Sequence, residues 1–262
     1  MKYGLEAACH CHVGRIRSNN EDNFYFDDRI LMQENRGLKK AISIRVSCTE
    51  RFATFGIFDG MGGEEDGQVA SYLAADSYRE KCHMLEYYVV PPKEFLRAGI
   101  SHMNDTVCRT AESNLNRMGT TATLLYFCED EIYVCNVGDS KGFRLRTNEL
   151  LQISEDHTDA KLLVAHGIKN REPHLTQYIG IALEEMLLEP HVAKGQVLPE
   201  DQYLICSDGL TDMLSNIEIC SILQESISAK ESAERLVSAA VESGGRDNIT
   251  VIVVRVVQHG DE

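Results

Sequence analysis

Four aspartates of this chain stand where an apolar, strand-like run meets small residues. The four are Asp59, Asp139, Asp208 and Asp247. Strand ends that meet at one edge of a sheet would bring these carboxylates together, and clustered carboxylates repel one another unless a cation neutralises them. Oxygen ligands of this kind suit magnesium, manganese or calcium. A single Asp-Gly or Asp-Ser pair is most often an ordinary turn, but four such turns at strand ends favour a cation site.

Length and composition are typical of one folded domain. The chain has 262 residues, of which 43% are hydrophobic, enough for a substantial core. Only five prolines are present and no linker-like stretch interrupts the sequence, so residues 1–262 are expected to form a single domain. The net charge of −15 argues against nucleic acid or an anionic membrane as a partner, because attraction to phosphates needs a basic face.

The sequence also bears on compartment and redox state. No apolar run approaches the roughly 18 residues of a membrane helix, and Glu6 stands where a signal peptide needs its apolar stretch. We therefore expect a cytoplasmic protein that does not engage membranes. Nine cysteines without regular spacing do not indicate a disulfide framework.

The segment Cys9-His10-Cys11-His12 has the composition of a zinc site but not its spacing. No second ligand pair with zinc spacing follows it. In a strand, the two cysteines would share one face with Leu5, and the two histidines would share the other. A plain strand with buried thiols is therefore predicted.

Periodicity predicts an α+β fold. Strands are predicted over 3–13, 23–26, 43–47, 52–58, 121–127, 132–137, 143–146, 203–206 and 249–257. Helices are predicted over 67–88, 93–115, 156–166 and 229–241, with a loop over 167–172. The three central strands, from 121 to 146, have the short turns of an antiparallel meander. Apolar runs such as TVIVVRVV have no polar side that could face solvent, so we expect sheets that are covered on both faces.

Seven sequence motifs follow one another along nearly the whole chain. They are GRIRSNNED, FGIFDGMGGEEDGQVAS, MGTTATLLYF, YVCNVGDSKGFRL, LLQISEDHT, LICSDGLTDML and GGRDNITVIVVRV. Together they resemble the metal-dependent protein serine/threonine phosphatases of the protein phosphatase 2C family, in their compact bacterial form. The resemblance implies a central pair of antiparallel β-sheets flanked by helices on both faces. It implies hydrolysis of phosphoserine or phosphothreonine in phosphoproteins. One expected substrate is a Ser/Thr kinase whose action the enzyme opposes, and the enzyme is expected to be a monomer.

The resemblance also implies a metal centre with two Mn²⁺ or Mg²⁺ ions. Asp59 should bridge the two metals, and Asp208 and Asp247 should complete one site. The carbonyl of Gly60 should serve the other site. Carboxylates and a backbone carbonyl are the hard ligands that such cations prefer.

Further roles follow from the same motifs. Asp22 and Glu21 should act on the metals through water, and Asp139 with Asp208 matches a third, more weakly held metal of the family. Arg17 matches the arginine that grips the phosphate, because a planar guanidinium can hold two phosphoryl oxygens. Arg15 lacks the motif spacing and is expected to be a surface charge.

The chemistry suits two divalent ions about 3.5–4 Å apart, which lower the pKa of a bridging water and direct the hydroxide at phosphorus. Three positions depart from the family pattern, and one of them, His12 in place of an acid often found two residues before the first Gly, is expected to have little effect. Many eukaryotic members carry a His, a proposed general acid, where this chain has Met61, and bacterial relatives often carry a His where it has Glu64. Protonation of the leaving oxygen is therefore expected to come from water at the metals. His157, in the EDHT motif, is expected to be structural.

Two other functions remain open on the sequence. A phosphohydrolase of the haloacid dehalogenase type would use an aspartyl nucleophile in an Asp-x-Asp motif, but Asp59-Gly60-Met61 lacks the second Asp. A non-catalytic module of the same fold could bind phosphoproteins without hydrolysing them. The intact set of metal positions favours the enzyme.

Overall fold

A computed structural model describes residues 1–62, 66–85, 89–114, 117–168 and 171–258. The strands are β1 Gly4–His12, β2 Asp22–Phe26, β3 Ile42–Val46, β4 Phe52–Gly62, β5 Met118–Thr120, β6 Ala122–Cys128, β7 Glu131–Val137, β8 Lys141–Arg146, β9 Glu149–Gln152, β10 His191–Gln196, β11 Gln202–Cys206 and β12 Ile249–Val257. The helices are α1 Asp66–Met84, α2 Pro92–Asn114, α3 Ala160–Ala165, α4 Asp208–Thr211, α5 Asn216–Glu225 and α6 Ala229–Glu242.

Two antiparallel sheets form the centre of the molecule. One sheet has the strand order β3-β1-β12-β11-β8-β9, and the other has the order β10-β7-β6-β4-β2, with β5 paired to β4. Helices α1 and α2 cover the outer face of the second sheet, and α5 and α6 cover the outer face of the first. The predicted α+β fold, with helices on both sides of paired antiparallel sheets, is confirmed.

The core between the sheets is built by strands that are apolar on both faces. Strand β12 is buried along nearly its whole length, with Ile252 and Val254 packed between the sheets and Val251 and Val253 packed under the helices. This accounts for its unbroken apolar run, because a strand with two covered faces needs no polar alternation.

The Cys-His segment lies in β1 as predicted. Cys9 and Cys11 are buried in the core between the sheets, while the side chain of His10 lies on the opposite face, near Glu234 of α6. His12 Nδ1 accepts a hydrogen bond of 2.9 Å from Gly14 N–H. All nine cysteines fall in the described ranges and are free thiols.

The predicted helices agree with the structure except in one segment. Helix α1 ends at Met84 and α2 at Asn114, and the remaining predicted residues 86–88 and 115 lie outside the described residues. The predicted helix 156–166 is wrong at its start, because only Ala160–Ala165 is helical. No helix over the described ranges has the length and apolar character needed to cross a membrane.

The predicted meander is also wrong in part. Strands β6 and β7 pair with each other, but β8 pairs with β11 and β9 in the other sheet. After β7 the chain leaves the second sheet at Gly138, whose φ of +103° is a conformation that glycine adopts most readily. The next turn is fixed by Ser140, whose hydroxyl lies 2.7 Å from the Thr121 hydroxyl.

Candidate active site

Strand ends from both sheets deliver the predicted acidic residues to one edge of the molecule. Asp22, at the start of β2, is the direct cross-strand partner of Asp59 near the end of β4. Asp208 follows β11 and begins α4, while Asp247 lies two residues before the start of β12. Asp139 follows β7. These five carboxylates lie near enough to interact, because the charges of the other four all raise the pKa of Asp59.

Asp59 and Asp208 form the centre of this cluster. Burial, followed by the charges of Asp208 and Asp22, raises the pKa of Asp59 well above its ordinary value. The pKa of Asp208 is raised to about 7, chiefly by burial and then by Asp139. The Asp59 and Asp208 side chains are within hydrogen-bonding distance of each other. Two carboxyl groups in such contact need either a shared proton or a cation.

Asp22 lies beneath this centre and is 1% exposed. One of its carboxyl oxygens accepts hydrogen bonds from the hydroxyls of Ser207, at 2.8 Å, and Thr250, at 2.7 Å. Its pKa is raised to about 7, because burial outweighs these two hydrogen bonds. The two hydroxyls fix the carboxyl group in one orientation, which suits a group that holds water or metal rather than one that moves.

Glu21 and the Gly60 carbonyl converge around Gly67, at the start of α1. A Cβ placed on Gly67 would lie 2.9 Å from the Glu21 carboxyl carbon and 3.0 Å from the Gly60 oxygen. Gly60 itself is confined, since a Cβ there would lie 2.1 Å from the Gly67 oxygen. Burial raises the pKa of Glu21. The two predicted ligands of the second metal thus share one small space that only glycine at position 67 leaves open.

Asp139 belongs to a second group of acidic residues, beside Asp59 and Asp208. Burial raises its pKa, and the charge of Lys141 opposes that rise. Lys141 Nζ is held 2.8 Å from Asp156 Oδ2. The main chain of His157 donates to the Gly138 carbonyl at 2.9 Å, and its ring Nδ1 accepts from Gly138 N–H at 3.3 Å. These contacts fasten the loop that carries Asp139 and explain why the segment before α3 is not helical.

The sequence reasoning missed Asp212 in this group. Burial raises its pKa, and the charges of Asp247 and Glu172 act in the same direction. It also adds to the rise in the pKa of Asp208. A signal was available, because Asp212 follows Asp208 by one helical turn in the SDGLTD motif. It is therefore an additional candidate oxygen ligand beside Asp139.

Arg17 reaches the cluster from its open side. Its Nη2 lies 2.7 Å from Asp247 Oδ2, and half of its side-chain surface is exposed. The hydrogen bond from Arg17 to Asp247 raises the pKa of the guanidinium, as do the charges of Glu21 and Asp59. Arg15 is also exposed, but its backbone N–H donates to the Gly245 carbonyl at 2.7 Å. The structure therefore places Arg17 against the acidic cluster.

Asn248 is a second residue that the sequence reasoning missed. It is buried, and its amide nitrogen donates to the carbonyls of Val13, at 2.9 Å, and Asn19, at 3.0 Å. Its amide oxygen accepts from Glu21 N–H at 2.7 Å. One side chain therefore ties the loop that carries Arg17 and Glu21 to the start of β12. Its place in the Asp-Asn pair before an apolar strand was the available signal.

Replacing Asn248 with Ala should destabilise the protein by roughly 2–3 kcal/mol, because three backbone groups lose their partner. Manganese affinity should fall as well, since Glu21 and Asp247 lose their mutual alignment. Urea unfolding and calorimetric metal titration would measure both effects. Asn104→Ala is the matched control, because Asn104 bridges Gly180 and Ile181, away from the carboxylates. Equal loss of metal affinity in the two variants would contradict the assignment.

The raised pKa values predict an unusual pH dependence for the metal-free protein. Asp22 and Asp208, with pKa values of about 7, bind more protons in the folded state than in the unfolded state between about pH 4 and 7. Stability without metal should therefore fall as pH rises through this window. Thermal unfolding in chelator at about pH 5.5 and 8 would test this, with a Tm lower by about 5 °C or more at the higher pH. A Tm that rises with pH would contradict it, and Asp208→Asn should flatten the dependence.

The donor set fits hard divalent cations. Within the described ranges, no group of three or more His, Cys, Asp or Glu side chains already has the geometry of a metal site. The cluster nevertheless supplies only oxygen donors, which magnesium and manganese prefer. The raised pKa values and the Asp59–Asp208 contact show the repulsion that such a cation would relieve.

Comparison with known proteins agrees with this arrangement. The model of the protein phosphatase 2C family matches residues 13–163 and 177–249. The serine/threonine protein phosphatase PstP of Mycobacterium tuberculosis is 33% identical over 261 residues, which are 97% of this chain but 46% of PstP. The serine/threonine phosphatase stp of Listeria monocytogenes is 32% identical, with 92% of each chain covered.

Solved structures give the same result. A crystal structure of the Mycobacterium tuberculosis phosphatase PstP has a TM-score of 0.78 at 28% identity and covers 98% of this chain and all of that chain. The catalytic domain of PstP in complex with two manganese ions has a TM-score of 0.77 at 31% identity, with 97% of this chain and 99% of that chain covered. This chain belongs to the protein phosphatase 2C family.

Proposed function

We propose that this protein hydrolyses phosphoserine and phosphothreonine in proteins with the help of two Mn²⁺ or Mg²⁺ ions. The observation that carries the proposal is the meeting of Asp22 and Asp59 as cross-strand partners, together with the charges of Asp208, Asp139 and Asp247, which act on Asp59 and raise its pKa. Such a group is costly for the metal-free fold, because buried carboxyls must be protonated or neutralised. Binding divalent cations removes that cost. Its relative PstP, solved with two manganese ions, supports the same conclusion.

In this proposal each residue has a distinct task. Asp59 would be shared by the two cations, Asp208 and Asp247 would complete the holding of one of them, and the Gly60 carbonyl would help to hold the other. Bound cations supply Lewis-acid polarisation of the phosphoryl group and lower the pKa of the attacking water.

The remaining residues position water and substrate. Glu21 and Asp22 hold water by accepting its hydrogen bonds, with Asp22 kept rigid by two hydroxyls. Arg17 binds two phosphoryl oxygens and orients the phosphorus for in-line attack. Asp139, with Asp208, would hold a weaker third cation, and Asp212 is a further candidate ligand for it. Met61 offers no proton, so water protonates the leaving oxygen.

Arg17 must change partner for this mechanism to operate. In the structure its guanidinium pairs with Asp247 at 2.7 Å. When Asp247 holds a cation, its carboxylate would share its charge between that cation and Arg17, which would weaken the pair. The guanidinium is half exposed and free to turn toward a phosphate. Metal binding at Asp247 and phosphate binding at Arg17 should therefore reinforce each other.

The proposal extends to partners and location. The expected substrates are phosphoproteins, among them a Ser/Thr kinase whose action the enzyme reverses, and the expected form is a cytoplasmic monomer. Comparing phosphoproteomes with and without the protein would identify these substrates. Sedimentation of the purified protein would test the monomer.

The alternatives have less support. The central sheets are antiparallel, and Asp59-Gly60-Met61 lacks the second Asp of the Asp-x-Asp motif that haloacid dehalogenase phosphohydrolases use. Trapping an aspartyl-phosphate on the protein would support that mechanism instead. A non-catalytic phosphoprotein-binding module would not need the whole acidic set. The charges of Asp208, Asp22, Asp139 and Asp247 all act on Asp59, which supports the enzyme.

Phosphate release from phosphoserine and phosphothreonine peptides tests the proposal directly. The purified protein should release phosphate with added manganese or magnesium and stop when chelator is added, and release should resume on adding metal back. Phosphopeptide binding without phosphate release under any metal condition would favour the binding module. Full release from protein shown to be metal-free would contradict the two-metal mechanism.

A further inference from the structure

A polar cavity of about 580 Å³ lies beside the candidate active site. Its lining residues are Ser18, Asn19, Glu34, Asn35, Arg36 and Gln68. Ser18 directly follows Arg17, and Gln68 directly follows Gly67, the residue against which Glu21 and the Gly60 carbonyl pack. The cavity therefore borders the place where a phosphate held by Arg17 would lie.

Arg36 is the cation of this cavity. It is exposed, and over the described ranges it makes no ion pair or hydrogen bond. Its situation differs from that of Arg17, which pairs with Asp247. Other exposed arginines of the described ranges, such as Arg45, also lack an ion pair, but Arg36 lines this cavity. Its fork of donors remains available to an incoming anion.

The loop that carries Arg36 is fixed to the same segment as the active-site carboxylates. Asn35 Oδ1 accepts from Asn20 Nδ2 at 2.6 Å and from Gly37 N–H at 2.9 Å. Leu38 N–H donates to the Cys11 carbonyl at 2.7 Å. Asn20 immediately precedes Glu21 and Asp22. These contacts hold the backbone of Arg36 at a constant position relative to the acidic cluster.

Gly37 makes this attachment possible. Its φ is +80°, and a Cβ at this position would lie 2.2 Å from the Cys11 carbonyl oxygen. The backbone therefore approaches β1 more closely than any other residue would allow. A loop held this tightly loses little further entropy when its side chain binds a ligand, which favours recognition over a purely solvated charge.

We propose that this cavity binds a second anionic side chain of the substrate, near the phosphorylated residue in sequence, through the guanidinium of Arg36. The proposal rests on the phosphatase function proposed above and gives it a substrate preference. A second phosphoserine or phosphothreonine and a glutamate or aspartate share the required chemistry, because both offer two oxygens to a guanidinium. Ser18 and Gln68 add hydroxyl and amide groups to the same wall.

Glu34 limits the strength of this subsite. Its carboxylate lines the same cavity and repels an incoming anion. Glu34→Gln should therefore increase the preference for a second anion, whereas Arg36→Ala should remove it. Opposite effects from two neighbouring substitutions are a signature that a general structural disturbance would not produce.

The experiment is a steady-state comparison on a series of phosphopeptides. Each peptide carries one phosphothreonine and, at one neighbouring position on either side, alanine, glutamate or a second phosphothreonine. For wild type, kcat/KM should be higher with the second anion at some positions and unchanged at others. Arg36→Ala should lose that advantage by roughly three- to tenfold, mostly through KM, since the contact is partly exposed. Arg36→Lys should restore part of it.

Two controls separate recognition from catalysis and folding. Arg36→Ala should hydrolyse a small aryl phosphate at the wild-type rate, because that substrate does not reach the cavity. Arg45→Ala removes another exposed arginine, opposite Glu6 in β1 and far from the strand end that leads to the site, and should leave every peptide unchanged. If the wild-type protein does not hydrolyse the aryl phosphate at all, the result contradicts the proposed phosphatase function rather than the subsite.

The results decide between the outcomes. A larger gain with the second phosphothreonine than with glutamate assigns the cavity to multiply phosphorylated segments, and equal gains assign it to acidic sequences. Equal loss on all peptides, including the alanine series, would overturn the proposal and make Arg36 a structural residue. An unchanged preference in Arg36→Ala would overturn it as well.

Discussion

Asp59→Asn is expected to lower turnover on phosphopeptides by at least about a thousandfold at saturating manganese, because a neutral amide cannot bridge two cations. The same substitution should make the metal-free protein more stable at neutral pH. Asp59 is buried among Asp208, Asp22, Asp139 and Asp247, so replacing its carboxyl relieves repulsion that the folded state otherwise bears. Steady-state kinetics and thermal unfolding in chelator would measure the two effects.

Asp201→Asn provides the matched control for this prediction. Asp201 is also a buried aspartate, but it pairs with Arg146 at 2.7 Å and accepts from the Tyr203 hydroxyl at 2.9 Å. Removing its charge should cost roughly 2–4 kcal/mol of stability, because Arg146 loses its partner, and leave turnover of the folded protein nearly unchanged. Asp59→Asn should thus lower turnover and raise the stability of the metal-free protein, whereas Asp201→Asn should lower stability and leave turnover nearly unchanged. Near wild-type turnover in Asp59→Asn would remove the metal-bridging role.

The acidic cluster could be predicted from the sequence because its members lie at strand ends. Asp59, Asp139 and Asp208 follow apolar runs, and Asp247 precedes one, so local pattern alone places all four at the edges of sheets. Asp212 and Asn248 could not be ranked in this way. Their importance comes from the tertiary arrangement, in which Asp212 adds charge beside Asp208 and Asn248 bridges three backbone groups.

The fold class could be predicted from periodicity, but the path between the sheets could not. Strands β9 and β10 were not predicted, since each lies at the edge of its sheet and is partly exposed, which weakens the apolar signal. The passage of β8 into the other sheet depends on Gly138 and on Ser140, which is buried against Thr121. A short turn between two strands is equally compatible with the two strands pairing in one sheet and with the second strand joining the other sheet. Helix α5 did carry a local signal, the capping box of Ser215 and Glu218.

Arg17→Ala should reduce kcat/KM on a phosphopeptide by roughly tenfold to over a hundredfold, the loss of a charge-assisted contact of about 1.5–3 kcal/mol. Inorganic phosphate should also inhibit this variant less strongly, because the product uses the same guanidinium. Arg15→Ala is the control, since its side chain is exposed and its backbone N–H donates to the Gly245 carbonyl. It should leave both properties unchanged.

Metal binding decides which role Arg17 has. Its contact with Asp247 at 2.7 Å admits two roles, a phosphate ligand that rests on a metal ligand or a structural tie that aligns Asp247. If Arg17 is the phosphate ligand, calorimetry should show manganese binding to Arg17→Ala at least as tightly as to wild type, because a competing cation has been removed from Asp247. If Arg17→Ala no longer binds manganese, the arginine is a structural tie. If Arg15→Ala shows the kinetic loss instead, the phosphate-binding arginine has been assigned to the wrong residue of the loop.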